Sequence, residues 1–322
     1  MSLVSLVVVT YNSACFVAEA LESVRVQTWN EIELIITDDN SSDDTVEVCR
    51  QWLNANSSRF IRTELLTSEV NTGVSGNANR GLKAARGEWI KFIGADDTLL
   101  PDCLKDNMNF LAGHAYIRIL FSRINIYNQS FISENFLKTT PFGEITRDSI
   151  LWHERTANSQ YRMLLITDRI HFTPSAFLHR NTLNQLGGFN ERFRLLEDYP
   201  LWLALTSNGY KLYFMDKVTV NYRQHPGAIN NTGRSFLINP NYFRVESFRK
   251  AYTYPFLPRL IRADQRFRYA IAHLFKSDFM NRSNCFTRMM YNSLTIYLNP
   301  FLYIIKLKSL FKLGNEIEEF RY

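Results

Sequence analysis

Cysteine is scarce in this chain. Cys15, Cys49, Cys103 and Cys285 are the four in 322 residues, far apart and without a CxxC pair. That spacing suggests neither a zinc site nor a disulfide framework, and it fits a reducing, cytoplasmic setting. No stretch approaches the roughly 20 apolar residues of a membrane span. The apolar start, MSLVSLVVVTYN, has no basic residues before its apolar run and no small-residue cleavage pattern, so it reads as a buried strand rather than a signal peptide. Internal repeats and low-complexity segments are absent too. With 46% hydrophobic and 21% charged residues, disorder is not the reading.

Negative charge is what the C-terminal part lacks. Residues 241–322 hold 14 Lys/Arg against 6 Asp/Glu and 18 of the 45 aromatics, whereas residues 1–240 hold 23 basic against 25 acidic residues. A neutral body thus carries a basic, aromatic segment, and the two parts are expected to have different partners. Within 259–276, Leu260, Phe267, Ile271, Leu274 and Phe275 fall near one helical face, with Arg259, Arg262, Arg266 and Arg268 around it. Such helices either pack on the body with solvated charges or form a peripheral foot, within 241–312, on an anionic membrane. No nucleic-acid-binding motif accompanies the basic residues, so nucleic acid is not an expected partner.

The first hundred residues alternate. Strands are predicted at 3–9, 31–37, 60–67 and 87–93, with helices beginning near Phe16 and after the run DDNSSDDT, and a glycine-rich loop, NTGVSGNANRGLKAA, running into a third helix. This order implies a largely parallel sheet with helices on its faces. Polar clusters fall at the carboxyl ends of strands, where ligands of such sheets bind: Thr10–Asn12, Asp38–Asn40, and Asp96–Asp97. Beyond residue 100 a helix is expected near 101–111, strand structure at 115–127, irregular loops over 128–170, a helix opening at Glu197–Asp198, and a strand around 211–224. The expected organisation is an α/β domain over 1–230, with the polar strand ends in its first half (1–100) and the less regular elements in its second (101–230), followed by a helical extension over 231–322.

VVVTYNS, IITDDNSSDDT, NTGVSGNANRGLKAARGEWIKFIGADD, LGGFNE followed by LEDYPLW, and YRQH occur in an order and spacing that is similar to the inverting nucleotide-sugar glycosyltransferases of family 2, which have a GT-A fold. The resemblance covers about the first 225 residues and implies a UDP-sugar donor and a glycan acceptor. It places Thr10, Tyr11, Asn12, Asp38, Asp39, Gly73, Asn79, Asp96 and Asp97 at the nucleotide sugar, and Asp97 and His225 at a metal. Asp198 is implied as the base, with Glu197, Gly188 and Phe189 in acceptor or positioning roles. Bacterial surface-polysaccharide or O-antigen assembly, on a lipid-diphosphate-linked acceptor at the cytoplasmic face of the membrane, is the expected setting.

The residue types agree with that chemistry. Two acids beside a nucleoside diphosphate need a divalent cation between them, and oxygen ligands suit Mg2+ or Mn2+. An inverting transferase needs one carboxylate, to take the acceptor's proton. Plainer readings exist for each residue. Asp96 and Asp97 could cap the helix that follows, Asp38 and Asp39 could only form a turn, Asp198 could be a helix cap, and His225 an ordinary loop histidine. Gly73 and Gly76 are expected to serve backbone geometry. Two positions depart from the family pattern: Gly94 stands where many relatives have an acid, and Ala78 where many have an arginine. The alternatives for the whole chain are a catalytically degenerate carbohydrate-binding protein on this fold and a sugar nucleotidyltransferase. The latter would carry a glycine-rich, Arg-containing loop after the first strand, which TYNSACF lacks.

Overall fold

The computed structural model describes residues 2–227 and 236–311. Two compact units divide the chain: residues 1–161 with 169–225, and residues 162–168 with 226–322.

The first unit opens with β1 (Val4–Thr10), α1 (Val17–Arg25), β2 (Ile32–Asp38), α2 (Thr45–Asn56), β3 (Arg62–Thr67), α3 (Gly73–Ala84) and β4 (Trp89–Gly94). Every residue of β2 and nearly every residue of β1 is buried, as expected for β-branched strands covered on both faces. Helix α1 turns Val17, Ala20, Leu21 and Val24 inward, a spacing of three and four residues that forms one apolar stripe. The strands β3, β2, β1 and β4 lie side by side and parallel. Their register sets Thr10 opposite Asp38, and Val9 opposite Gly94. The three polar strand ends therefore share one edge of the sheet.

The glycine-rich loop expected to run into a helix is already helical from Gly73 onward. Its glycines permit close packing that longer residues would block. A Cβ on Gly81 would stand 2.4 Å from Val7 Cγ1, and one on Gly76 would stand 2.6 Å from Thr72 Oγ1. Gly81→Val should lower stability by about 1–3 kcal/mol through overpacking against β1, read as an earlier midpoint in urea.

The sheet continues through β5 (Thr98–Leu99), β6 (Ile119–Asn128), β7 (Phe136–Thr140), β8 (Phe177–His179) and β9 (Tyr213–Gln224), giving nine strands among the described residues. Here the sheet is mixed. β8 runs antiparallel to β4 and β6, whereas β9 is parallel to β6. Helices α4 (Cys103–Ala112), α5 (Ala157–Ile166), α6 (Arg180–Gln185) and α7 (Asp198–Ser207) join these strands. The expectation of irregular loops over 128–170 is corrected by β7 and α5. Strand β7 escaped because its first three residues are exposed, and α5 because Met163, Leu164, Leu165 and Ile166 are all buried in succession, which erases the helical period.

The second unit is helical: α8 (Pro240–Tyr252), α9 (Arg259–Leu274), α10 (Cys285–Asn292), a π-helical turn over Ser293–Tyr297, and α11 (Pro300–Leu310). Its core gathers Ile238, Ile271, Ala272 and Phe275, with Phe267 and Leu294 packed against it. Among the described residues, no helix of this unit or of the first is long and apolar enough to cross a membrane. The apolar face of α9 is divided: Ile271 and Phe275 are buried, Leu260 and Phe267 half-buried, and Leu274 is 68% exposed. Ile271 and Phe275 are core residues, Arg268 pairs with buried Asp264, and Arg262 donates to the Pro255 and Leu257 carbonyls.

Candidate active site

Short strand β5 pairs antiparallel with β9, Thr98 opposite Asn221 and Leu99 opposite Val220. That pairing brings the end of β9 against the turn holding Asp96 and Asp97. The Asp97 carboxylate is buried and accepts the Arg223 backbone N–H at 2.9 Å. Asp96 Oδ2 lies 3.1 Å from His225 Nε2. The following helix starts at Cys103 with Asp102 at its N-cap, so neither acid of the pair caps it. Burial, and then the neighbouring Asp96 charge, hold the Asp97 carboxyl well above the ordinary carboxylate range, against the opposing pull of Arg223 and Lys91.

Arg223 organises this turn. Its guanidinium donates to the Asp96 and Gln129 carbonyls and to the Glu19 carboxylate, and lies 4.9 Å from the Phe16 ring centroid and 4.1 Å from that of Phe131. His225 packs on Phe16 as well, at 4.6 Å between ring centroids. The motif YRQH contained Arg223, but its role was not read. The available signal was strand alternation, which sets Arg223 and His225 on one face.

At the ends of β1 and β2, the carboxylates are engaged by the chain itself. Asp38 accepts from the Thr10 hydroxyl at 2.7 Å and from both the backbone and hydroxyl of Ser41. Asp39 accepts from the Thr72 backbone and hydroxyl and from the Gly73 N–H at 2.7 Å, with Arg80 at 3.4 Å, and so anchors the start of α3. Both acids do more than form a turn, since they tie β1 to the loop after β2 and β2 to α3. Asn12 has φ 48°, and its side chain accepts the Ser42 N–H. Tyr11 is about half exposed at this edge.

Asn79 is a correction to the expected donor contact. Its amide donates to the Phe189 carbonyl and to Glu191, and its oxygen accepts the Phe189 N–H at 2.8 Å. Both amide hydrogens are thus used, and the residue is a clamp on the turn containing Gly188 and Phe189. Gly188 has φ 76°, and a Cβ there would stand 2.4 Å from Asn79 Oδ1. Phe189 meets Phe92 edge-on at 5.1 Å between centroids. Gly73, at φ 81°, lies where a Cβ would be 2.5 Å from the Arg194 carbonyl, so its role is backbone approach. Asn79→Ala should leave buried Phe189 backbone groups unpaired and cost about 1–3 kcal/mol, measurable in a urea titration.

Asp198 is the first residue of α7, and Glu197 takes the N-cap position without a side-chain cap hydrogen bond. Glu197 therefore holds the cap position, while Asp198 still accepts a first-turn N–H of the helix, as the capping alternative has it. The half-buried carboxylate accepts from the Thr173 hydroxyl at 2.8 Å and from the Tyr199 N–H at 2.7 Å. Burial raises its pKa from the ordinary value, while these hydrogen bonds and the His171 charge pull it down. Thr173 was missed, and no motif marks it. Lys91, fully buried in β4, donates to the Pro174 carbonyl at 2.6 Å and so holds the same turn. Burial lowers its pKa to about 8. A lysine within the apolar run EWIKFIG was a signal for such a role.

Asp96 and His225 bring a carboxylate oxygen and an imidazole nitrogen, donors that Mg2+ or Mn2+ accepts, to within 3.1 Å of each other. Among the described residues no three or more His, Cys, Asp or Glu side chains form a ready metal cluster. An incomplete protein set is what such cations use when phosphate and water supply the remaining ligands.

Comparison with known proteins agrees with this architecture. The family model for Glycosyl transferase family 2 matches residues 5–181, and the chain belongs to that family. It is 28% identical over 233 residues, 71% of this chain and 80% of the relative, to the Escherichia coli UDP-Glc:alpha-D-GlcNAc-diphosphoundecaprenol beta-1,3-glucosyltransferase WfaP. The S. aureus TarS 1–349 structure in complex with UDP-GlcNAc is similar with a TM-score of 0.57 at 18% identity, over 99% of this chain and 89% of that one. The chain spans 55% of the longer TarS structure. The Pyrobaculum calidifontis mannosyltransferase PcManGT, in complex with GDP-Man and Mn2+, is similar with a TM-score of 0.50 at 17% identity, over 97% and 88% of the two chains. The fold is thus GT-A, with a central sheet flanked by helices, and the chain is a family 2 glycosyltransferase.

Proposed function

We propose that this glycosyltransferase moves a sugar from a UDP-sugar to a hydroxyl of a glycan acceptor carried on a lipid diphosphate, with inversion. The observation that carries the mechanism is the Asp198 carboxylate, held by Thr173 at the start of α7 with its basicity raised by burial. An acid of raised pKa is a stronger base, and the N-terminal end of a helix favours its charged form. Asp198 takes the proton of the acceptor hydroxyl as the oxygen attacks the anomeric carbon from the face opposite the leaving group. The bond to UDP breaks, and UDP departs as an anion that needs no proton.

Thr10, Tyr11 and Asn12 with Asp38 and Asp39 shape the uridine side, and exposed Tyr11 offers a ring face to the base. Asp96, Asp97 and His225 would hold a divalent metal, which would neutralise charge on the departing diphosphate. Arg223 keeps the Asp96–Asp97 turn in place. Glu197, Gly188 and Phe189 bound the acceptor side, the last two set by Asn79. The lipid-diphosphate acceptor is supported by the WfaP relative, whose named substrate is of that kind, and it fits surface polysaccharide or O-antigen assembly at the cytoplasmic face of the membrane.

Purified protein is incubated with Mn2+ and a panel of UDP-sugars, with and without a GlcNAc-diphosphate lipid. UDP release that requires the acceptor, with a new glycosidic product, is the expected result. Binding of UDP-sugar with no UDP released for any acceptor would favour the carbohydrate-binding alternative.

A further inference from the structure

The second unit carries an apolar surface that its own core does not use. In α11, Leu302 and Ile305 face inward, while Tyr303, Ile304, Leu307 and Leu310 are exposed, joined by Phe311 just past the helix end. At 3.6 residues per turn these five side chains occupy one continuous arc of about 120°. Lys306 and Lys308, both exposed, fall on opposite borders of that arc. More exposed apolar residues lie close by in sequence: Phe286 and Met289 on α10, and Tyr297 and Leu298 ahead of α11.

Charge decides what can cover this face. Residues 279–311 contain Arg282, Arg288, Lys306 and Lys308 and not one Asp or Glu. A second copy of the chain docked by the same arc would set lysines against lysines with no acid from this segment to answer them. An anionic lipid surface answers all of them at once. Lysines bordering an apolar arc can bury their stems along the acyl boundary and raise their ammonium groups to the headgroups, and tyrosines favour the same interface.

We propose that the exposed face of α11 is a docking surface for an anionic membrane, on which it lies flat without crossing. This goes beyond the sugar-transfer reading and stands on the surface alone. It places the membrane contact expected within 241–312 on α11.

The test uses the full chain with vesicles of phosphatidylglycerol and phosphatidylethanolamine, and with phosphatidylcholine vesicles as the uncharged comparison. Co-sedimentation with the anionic vesicles at low salt, reduced by high salt, is expected. Leu307→Glu with Leu310→Glu should lower partitioning about 100-fold, since two apolar contacts are lost and two charges repel the lipid. Lys306→Glu with Lys308→Glu, confined to exposed side chains, should lower it at least 25-fold, at roughly fivefold per basic residue removed. Phe142→Glu, an exposed apolar residue of the first unit, should leave it unchanged. Melting curves check that each variant is folded.

Absence of wild-type binding to anionic vesicles overturns the proposal, as does binding that neither double variant reduces. Sedimentation velocity provides the remaining decision. If the wild type does not bind vesicles and is a dimer that Leu307→Glu with Leu310→Glu dissociates, the face is an interface between copies. UDP release in solution, assayed on the same variants, keeps this outcome separate from the fate of the catalytic reading.

Discussion

Asp198→Asn is expected to lower turnover roughly 10²-fold or more while leaving affinity for the UDP-sugar almost unchanged. The amide keeps the size of the acid and an oxygen to accept the Thr173 hydroxyl and Tyr199 N–H. It cannot take a proton. Since a base facing the acceptor makes no contact with the nucleotide, the loss should fall on kcat and not on donor binding. The pH profile adds a second readout. Asp198 works only when deprotonated, and burial has raised its pKa. Activity should therefore fall as pH drops through that raised value, with the acid limb of kcat/KM above the ordinary Asp value of about 3.9. Thr173→Val removes a hydrogen bond that favours the charged form and should shift the limb further up. Near-normal turnover in Asp198→Asn, or a limb that Thr173→Val leaves in place, would reduce the carboxylate to a structural element of α7.

The second large effect is expected at Asp97. This carboxyl is buried beside Asp96, and both the burial and the neighbouring charge oppose its ionisation. With a folded pKa above the unfolded one, it contributes stability at low pH that is lost as pH rises through the folded value. Asp97→Asn removes that loss and retains an acceptor for the Arg223 N–H. In the absence of divalent cation the variant should melt higher than the wild type at neutral pH, by about 2–4 °C for each 1 kcal/mol recovered. Adding Mn2+ should reverse the order, because a cation placed near two acids stabilises the wild type and has less charge to meet in the variant. UDP titrations with and without Mn2+ should show metal-dependent affinity reduced at least about tenfold. A variant that melts lower without cation and binds UDP with Mn2+ normally would make Asp97 a packing residue.

The parts of the fold legible in the sequence are those whose signal is local. The apolar runs ending at Thr10 and Asp38 are strands buried on both faces, and their length and composition announce it. The polar residues that close those runs mark the ligand edge because neighbouring parallel strands bring their carboxyl ends together. Roles created by distant contacts were not legible. Asn79 and Phe189 are 110 residues apart, and each sits in a recognisable motif, yet nothing in either motif says that one clamps the other. Thr173 is an ordinary threonine until the start of α7 is set beside it. Charge and hydrophobicity along 259–276 left packing and membrane contact both open, because adjacent residues of one apolar face part company: Phe275 is in the core and Leu274 is exposed.

Gly94 leaves Asp96 the space it uses. A Cβ at that position would stand 2.7 Å from Asp96 Oδ1 and 3.8 Å from Asp97 Oδ2. Asp96, whose other oxygen lies 3.1 Å from His225 Nε2, meets that Cβ with the far end of a flexible side chain, which can rotate aside. A larger residue at 94 would therefore be taken up by movement of Asp96 away from its histidine. The cost of filling the gap falls on the reach of one carboxylate rather than on the strand that ends there.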